Sequence, residues 1–177
     1  LIERFPELTY PGLNPDDFRK STDYVLTGRG HNDGRTLVVL EEVLDALALM
    51  SPRPELIVRL HPKEDITDFA DYQDEVMSFS QDDDPLRVTY FSDGVVGMSS
   101  TLLLEVAAMG VPVISVVPRE IERCWVPQLQ SITIPTVTKR EDISTALQSL
   151  LDIRRKSANQ YVGKMSSDLI AEAIVRL

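Results

Sequence analysis

Two hydrophobic patterns alternate along the chain: short apolar runs, and longer stretches in which apolar residues recur every three or four positions. The short runs predict β-strands, and the longer stretches predict amphipathic helices. Strands are predicted at residues 23–27, 56–60, 86–90, around Val95, 113–117 and 132–134. Helices are predicted at residues 35–50, 66–79, 102–109, from a capping box at Thr138 and Glu141 to residue 153, and at 157–177.

This order of elements predicts the fold class. Strands that alternate with helices at such spacing favour an α/β fold with a doubly wound, parallel, Rossmann-like sheet. Residues 1–22 show no period and are rich in Pro, Gly, Asn and Asp, so we interpret them as a lead-in or interdomain segment. Residues 23–177 then form one domain. Because the chain begins at Leu1 and not at a methionine, we expect it to be part of a longer protein.

Residues 92–117 have the layout of a phosphate-binding βαβ unit: a short strand, a small-residue turn, a helix, a glycine and a second strand. The turn contains Gly97, Ser99, Ser100 and Thr101. Such small residues let backbone N–H groups approach a ligand, and the first helical turn carries partial positive charge. The helix is apolar on every side except at Glu105, so we expect it to be buried, with Gly110 ending it.

Composition narrows the class of ligand. With 18 Lys and Arg against 28 Asp and Glu, the net charge is −10, which argues against general nucleic-acid binding and anionic membrane surfaces. A phosphate ligand therefore requires a local group of cations. In a parallel sheet the loops that follow strands share one edge, and we expect a basic mouth there. The basic residues in these loops are Arg29, His31, His61, Lys63, Arg119 and Arg123.

Other features indicate what the protein lacks. No apolar run approaches the roughly 20 residues of a membrane-spanning helix, and no signal peptide opens the sequence. The single Cys124 excludes an internal disulfide and fits a cytoplasmic location. We predict no metal site, because the histidines lack ligand spacing and the acidic run 82–84 lacks the spacing of a calcium loop.

Each candidate residue also has a purely structural interpretation. The serine turn could be a capped helix start, although three hydroxyls beside a glycine exceed what capping needs. Glu105 could be a solvated acid or the partner of an arginine. His61 could end a strand, Arg29 and Arg119 could be surface charges, and Trp125 could pack in the core or stack on a ligand.

Four stretches together resemble the C-terminal half of GT-B glycosyltransferases and of UDP-N-acetylglucosamine 2-epimerases. They are VLTGRGHNDG from Val25, RLHPK from Arg59, SDGVVGMSSTLLLEVAAMGVPVISV from Ser92 and ERCWVP from Glu122. The resemblance spans residues 24–153, and its most specific part is 92–117. It implies a nucleotide-sugar-binding domain, with UDP as one possible nucleotide, acting in polysaccharide biosynthesis beside an N-terminal acceptor-binding domain.

The same resemblance implies roles for individual residues. Gly97, Ser99, Ser100 and Thr101 would contact the diphosphate, Glu105 the ribose hydroxyls and His61 the sugar phosphate, while Arg29 and Arg119 would be auxiliary cations. No cofactor besides the nucleotide sugar is implied. The catalytic base would lie in the other domain, so we expect the isolated chain to be inactive.

Two departures from that family pattern limit the interpretation. The epimerases carry Gly-Gly and Glu-Glu pairs where this chain has Gly-Met-Ser-Ser and the lone Glu105, which argues against epimerisation. Family members also place a two-turn helix after the strand matching residues 87–90, whereas here Ser92 follows almost directly, which suggests a missing segment. Two alternatives stay open: a nucleotide-sugar epimerase, and a non-catalytic regulatory or binding module.

Overall fold

The computed structural model describes residues 25–30, 34–81 and 83–164, with side chains described as far as residue 153 of the last helix. Residues 1–24, 31–33, 82 and 165–177 lie outside this part, among them the predicted lead-in segment 1–22 and His31. The α-helices are α1 (Arg35–Ala48), α2 (Pro85–Tyr90), α3 (Leu102–Ala108) and α4 (Arg140–Lys164). The strands are β1 (Ile57–Arg59), β2 (Ser78–Ser80), β3 (Val95–Gly97), β4 (Val113–Val116) and β5 (Thr136–Val137), and 3-10 helices span Ile66–Tyr72 and Glu120–Trp125.

The strands form two small parallel sheets. β1 pairs with β2, with Val58 opposite Phe79. β4 lies between β3 and β5, with Val96 opposite Ile114 and Ser115 opposite Thr136. The predicted α/β class with parallel strands is thereby confirmed, and the arrangement is compatible with a Rossmann-like fold. In the described part of the chain, no helix combines the length and apolar character needed to cross a membrane.

Strand β4 is covered by apolar side chains on both faces. Ile114 and Val116 belong to a core cluster with residues of α1 and α4. Val113 belongs to a second cluster with Leu103 and Leu104 of α3. A third cluster joins α1 to the first 3-10 helix through Leu40, Leu44, Leu60, Phe69 and Tyr72. Helix α1 serves two of these clusters because apolar residues occupy more than one of its faces.

The predicted helix 66–79 and strand 86–90 are both wrong. The 3-10 helix ends at Tyr72, and β2 follows at residues 78–80. Residues 85–90 form α2, because the Asp84 carboxylate accepts a hydrogen bond from the Leu86 N–H at 3.0 Å and Pro85 occupies the first turn. This helix follows a strand and precedes Ser92, so the expectation of a missing segment loses its basis.

Two further strand predictions and the predicted capping box also differ from the structure. Residues 25–27 are not in a strand, although the Val25 and Leu26 N–H groups both donate to the Pro118 carbonyl. The strand predicted at 132–134 lies instead at Thr136–Val137. Thr138 donates to Glu120 at 2.7 Å and is not part of a capping box, and α4 continues through residue 157 as one helix.

The structure has helices at both of the remaining predicted positions, 35–50 and 102–109. α1 agrees with the predicted helix 35–50, but its N-cap residue is Gly34, which makes no side-chain cap; Asn32 and Asp33 lie outside the described residues. α3 ends as predicted before Gly110, whose φ of +80° favours glycine. Only one side of α3 is buried, however, so the expectation of a helix buried all round is wrong.

The clusters around α1 predict a contrast between two leucines. Leu44 is 0% exposed and Leu49, just beyond the helix, is 81% exposed. We expect Leu44→Ala to lower the free energy of unfolding by about 2–5 kcal/mol, because it leaves a cavity, and Leu49→Ala to change it by no more than about 0.5 kcal/mol. Urea unfolding measures both, and equal effects would contradict this assignment of the core.

Candidate functional site

The small-residue turn at residues 98–101 lies at the carboxyl end of β3 and is held from two sides. The buried Ser115 hydroxyl of β4 donates to the Met98 carbonyl at 2.5 Å. The Ser100 hydroxyl accepts from the Leu102 N–H at 3.2 Å, so this serine stabilises the start of α3. Thr101 occupies the N-cap position without a side-chain cap. A Cβ at Gly97 would approach Leu103 Cδ2 to 3.0 Å, so this glycine allows close packing of strand on helix.

An arginine that the sequence analysis did not select reaches this turn. Arg35, the first residue of α1, donates from Nη2 to Ser99 Oγ at 3.2 Å. Its Nε donates to the Glu122 carboxylate, whose other oxygen accepts from Arg119 Nε at 2.5 Å. Both guanidinium carbons lie near the Trp125 ring, at 5.5 Å for Arg35 and 6.0 Å for Arg119. We call these five residues, including Ser99, the guanidinium cluster.

The guanidinium cluster joins three segments that are distant in sequence. Arg35 follows the first polar loop, Ser99 follows β3, and Arg119 follows β4. The expectation that strand-end loops meet at one edge of a parallel sheet is thus met for the Ser99 turn and Arg119. Two arginines and one carboxylate meet beside the hydroxyls, so this edge carries cationic groups within an acidic protein.

Arg29 lies in a different, acidic environment. Its Nη1 and Nη2 donate to the two carboxylate oxygens of Glu75 at 2.6 and 2.8 Å, and its Nε donates to Asp45 at 2.9 Å. The hydrogen bonds to Glu75 and then Asp45 raise the pKa of Arg29, and the Arg29 guanidinium lowers the pKa of Glu75. The predicted auxiliary cation is thus already engaged by two carboxylates.

Two buried glutamates hold the loop that carries Arg29. The Gly28 and Arg29 N–H groups donate to Glu42 at 2.9 Å and Glu41 at 2.6 Å. Tyr72 adds a hydrogen bond to Glu41 at 2.6 Å, and Arg140 forms an ion pair with Glu42 at 2.8 Å. These carboxylates are compensated by backbone and side-chain donors, which is the condition for burying them. Their role is to fix the loop.

His61 follows β1 on an exposed loop. Its Nδ1 accepts from the Lys63 backbone N–H at 3.2 Å, and the His61 backbone N–H donates to the Glu64 carboxylate at 2.7 Å. Within the described part of the chain, no hydrogen bond or ion pair joins His61 to the turn at 98–101. Glu105 is half buried in the first turn of α3. Among the described residues, no group of His, Cys, Asp or Glu side chains is arranged to hold a metal ion.

The sequence carried a weak signal for the residues that were missed. Glu122 stands three positions after Arg119, a spacing that pairs opposite charges on a helix. Arg35 stands at the start of the first long helix, where only the fold shows that it approaches Ser99, 64 residues away. Arg123, predicted at the basic mouth, forms an exposed ion pair with Glu120 at 2.7 Å.

Comparisons of the chain with protein-family models, with curated proteins and with solved structures find no match.

The ion pair of Arg29 and Glu75 predicts a pH-dependent contribution to stability. Because the folded pKa of Glu75 is depressed, this contribution is present above the ordinary carboxylate pKa of about 4.3 and is lost as the pH falls through the folded pKa. We expect Arg29→Gln to lower the free energy of unfolding by about 0.5–1 kcal/mol at about pH 7, and this difference should shrink as the pH falls below about 4.

Denaturant unfolding of wild type and Arg29→Gln across this pH range measures the difference. Arg87→Gln, at an exposed position in the last turn of α2, is the charge-matched control, and any effect it has on stability should be the same at every pH, because it arises from the helix C-terminus. A constant difference between wild type and Arg29→Gln at all pH values would contradict the assigned role of Glu75.

Proposed function

We propose that this chain is the nucleotide-sugar-binding half of a GT-B-like glycosyltransferase and that the donor diphosphate binds beside the turn at residues 98–101. The observation that supports this most directly is the 3.2 Å contact between Arg35 Nη2 and Ser99 Oγ. It brings a guanidinium to the hydroxyl-rich turn, so that hydroxyls and a fixed cation are available to the same anion.

The chemistry of the turn suits a phosphate. A guanidinium presents parallel N–H donors that match the oxygens of a phosphate, and its hydrogen bonds to an anion are charge-assisted. Arg35 is 26% exposed, so it is accessible from solvent while its Nε stays on the buried Glu122. Hydroxyls of Ser99 and Thr101 add neutral donors. This donor set binds a diphosphate without a metal ion.

The same groups would assist sugar transfer. Charge develops on the diphosphate as the sugar leaves, and donors that are already oriented stabilise that charge without reorganisation. Glu105, in the first turn of α3, is the proposed acceptor for ribose hydroxyls, since one carboxylate can accept from both hydroxyls of a cis-diol. His61 is the proposed contact for the sugar phosphate. The base that activates the acceptor would come from a second domain.

The proposal predicts which nucleotide contacts matter. We expect at least one of UDP, CDP and GDP to bind, and Arg35→Gln to weaken that binding by about 10–100-fold, because one or more charge-assisted hydrogen bonds are lost. Arg35→Lys keeps the charge but loses the planar fork, so its affinity should lie between the two. Ser99→Ala should weaken binding by about 2–10-fold.

Calorimetry measures these affinities, and fluorescence of Trp125, the one tryptophan of the chain, reports whether binding occurs at the guanidinium cluster. The matched control is Arg53→Gln. Arg53 follows the C-terminal end of the 14-residue α1, and that end is about 21 Å along the helix from Arg35. Two results would contradict the site: no nucleotide binding tighter than about 1 mM, or unchanged affinity in the Ser100→Ala, Glu105→Ala double variant.

A further inference from the structure

Glu122 is a buried carboxylate that divides its two oxygens between two arginines. Its side chain is 0% exposed, although it belongs to the short 3-10 helix of a long connection. Oε1 accepts from Arg119 Nε, and Oε2 accepts from Arg35 Nε. Removal of a carboxylate from water is costly unless good donors replace the water, and two guanidinium groups do so here. Each arginine is consequently held by its Nε edge.

This attachment determines the orientation of Arg35. With Nε on Glu122, the Nη2 group of the same guanidinium lies against Ser99 Oγ, and the guanidinium carbon lies 5.5 Å from the centre of the Trp125 ring. Exposure rises along the same path, from 0% at Glu122 to 26% at Arg35. A ligand at the turn would therefore reach Arg35 but not Glu122.

Neighbouring contacts fix Glu122 in turn. Glu120, two residues before Glu122, accepts from the Thr138 hydroxyl at 2.7 Å, and Arg123 Nη2 donates to the Thr136 carbonyl at 3.0 Å. Thr136 belongs to β5 and Thr138 directly follows it, so these two hydrogen bonds attach the 3-10 helix to the sheet. A connection that lacks long regular structure thereby holds one carboxylate in a defined place.

We propose that Glu122 is a positioning residue for anion binding, holding the Arg35 guanidinium against the Ser99 turn so that the ligand meets an oriented fork of donors. Groups held in place before binding lose less entropy when the ligand arrives. The ligand in this inference rests on the proposed function, whereas the orientation of Arg35 exists without any ligand and is tested separately.

A purely electrostatic view of Glu122 predicts the opposite effect on binding. Glu122→Gln removes a negative charge beside the turn, and the more positive site that remains should attract an anion more strongly. If Glu122 positions Arg35, the same substitution should weaken binding, because the guanidinium loses its fixed partner. The direction of the change therefore separates the two roles.

The first experiment compares the affinity of UDP, CDP, GDP and inorganic pyrophosphate for wild type and variants by calorimetry. We expect Glu122→Gln to bind the best of these ligands about tenfold more weakly. This change corresponds to the loss of one charge-assisted hydrogen bond to the ligand. In an Arg35→Gln background the same substitution should have no further effect, since the group it positions is gone. Tighter or unchanged binding by Glu122→Gln would overturn the proposal.

The second experiment needs no ligand and covers the case in which Glu122→Gln does not fold. In ¹⁵N–¹H spectra of wild type, the Nε–H signals of Arg35 and Arg119 should be protected from exchange with water, with Arg35→Lys identifying the first of them. A rapidly exchanging Arg35 Nε–H would overturn the positioning role. If wild type shows the protected signal but binds none of the four ligands, the proposed function fails and the orientation of Arg35 stands.

Discussion

Burial of β4 on both faces is the constraint on which the rest of the structure depends. All four of its residues are buried, so α1 and α4 must cover one face and α3 the other. Polar groups are costly in such a strand unless they are paired, and Ser115 meets this condition by donating to the Met98 carbonyl. That bond ties the turn after β3 to the central strand. Two buried charged residues, Arg119 and Glu122, follow the carboxyl end of β4.

Buried glutamates are a second organising feature of this acidic chain. Glu41, Glu42 and Glu122 are each almost fully buried, and each accepts hydrogen bonds from an arginine, a tyrosine or backbone N–H groups. Removing one donor from such a carboxylate leaves a charge uncompensated, whereas exposed pairs contribute little. The net charge of −10 therefore does not describe the field near the turn. Part of the negative charge is internal and already matched with positive partners.

Elements could be predicted from the sequence where an apolar period extends over many residues or where a strong stop signal ends them. Helix α1 and the strand–turn–helix unit ending at Gly110 were found because their apolar spacing and glycine leave little choice. Helix α2 was missed because Val88, Thr89 and Tyr90 have strand propensity, which the Asp84 cap and Pro85 outweigh. At the candidate site, the sequence indicated the hydroxyl turn but not Arg35, because no local pattern relates residue 35 to residue 99. Glu41 and Glu42 were missed because charged residues on a helix normally face solvent.

The magnitude of each interaction decides which group would dominate an anion site here. α3 has seven residues, or about two turns, and a helix terminus of this kind contributes about 0.3–1 kcal/mol to a nearby charge at an exposed position. Its Leu102 N–H is also already used by Ser100. Hydrogen bonds to a charged group contribute about 1.5–3 kcal/mol each, and a guanidinium offers several. Arg35 therefore outweighs the helix terminus. The hydroxyl turn alone resembles many capped helices, and the arginine held beside it is what supports the proposed phosphate site.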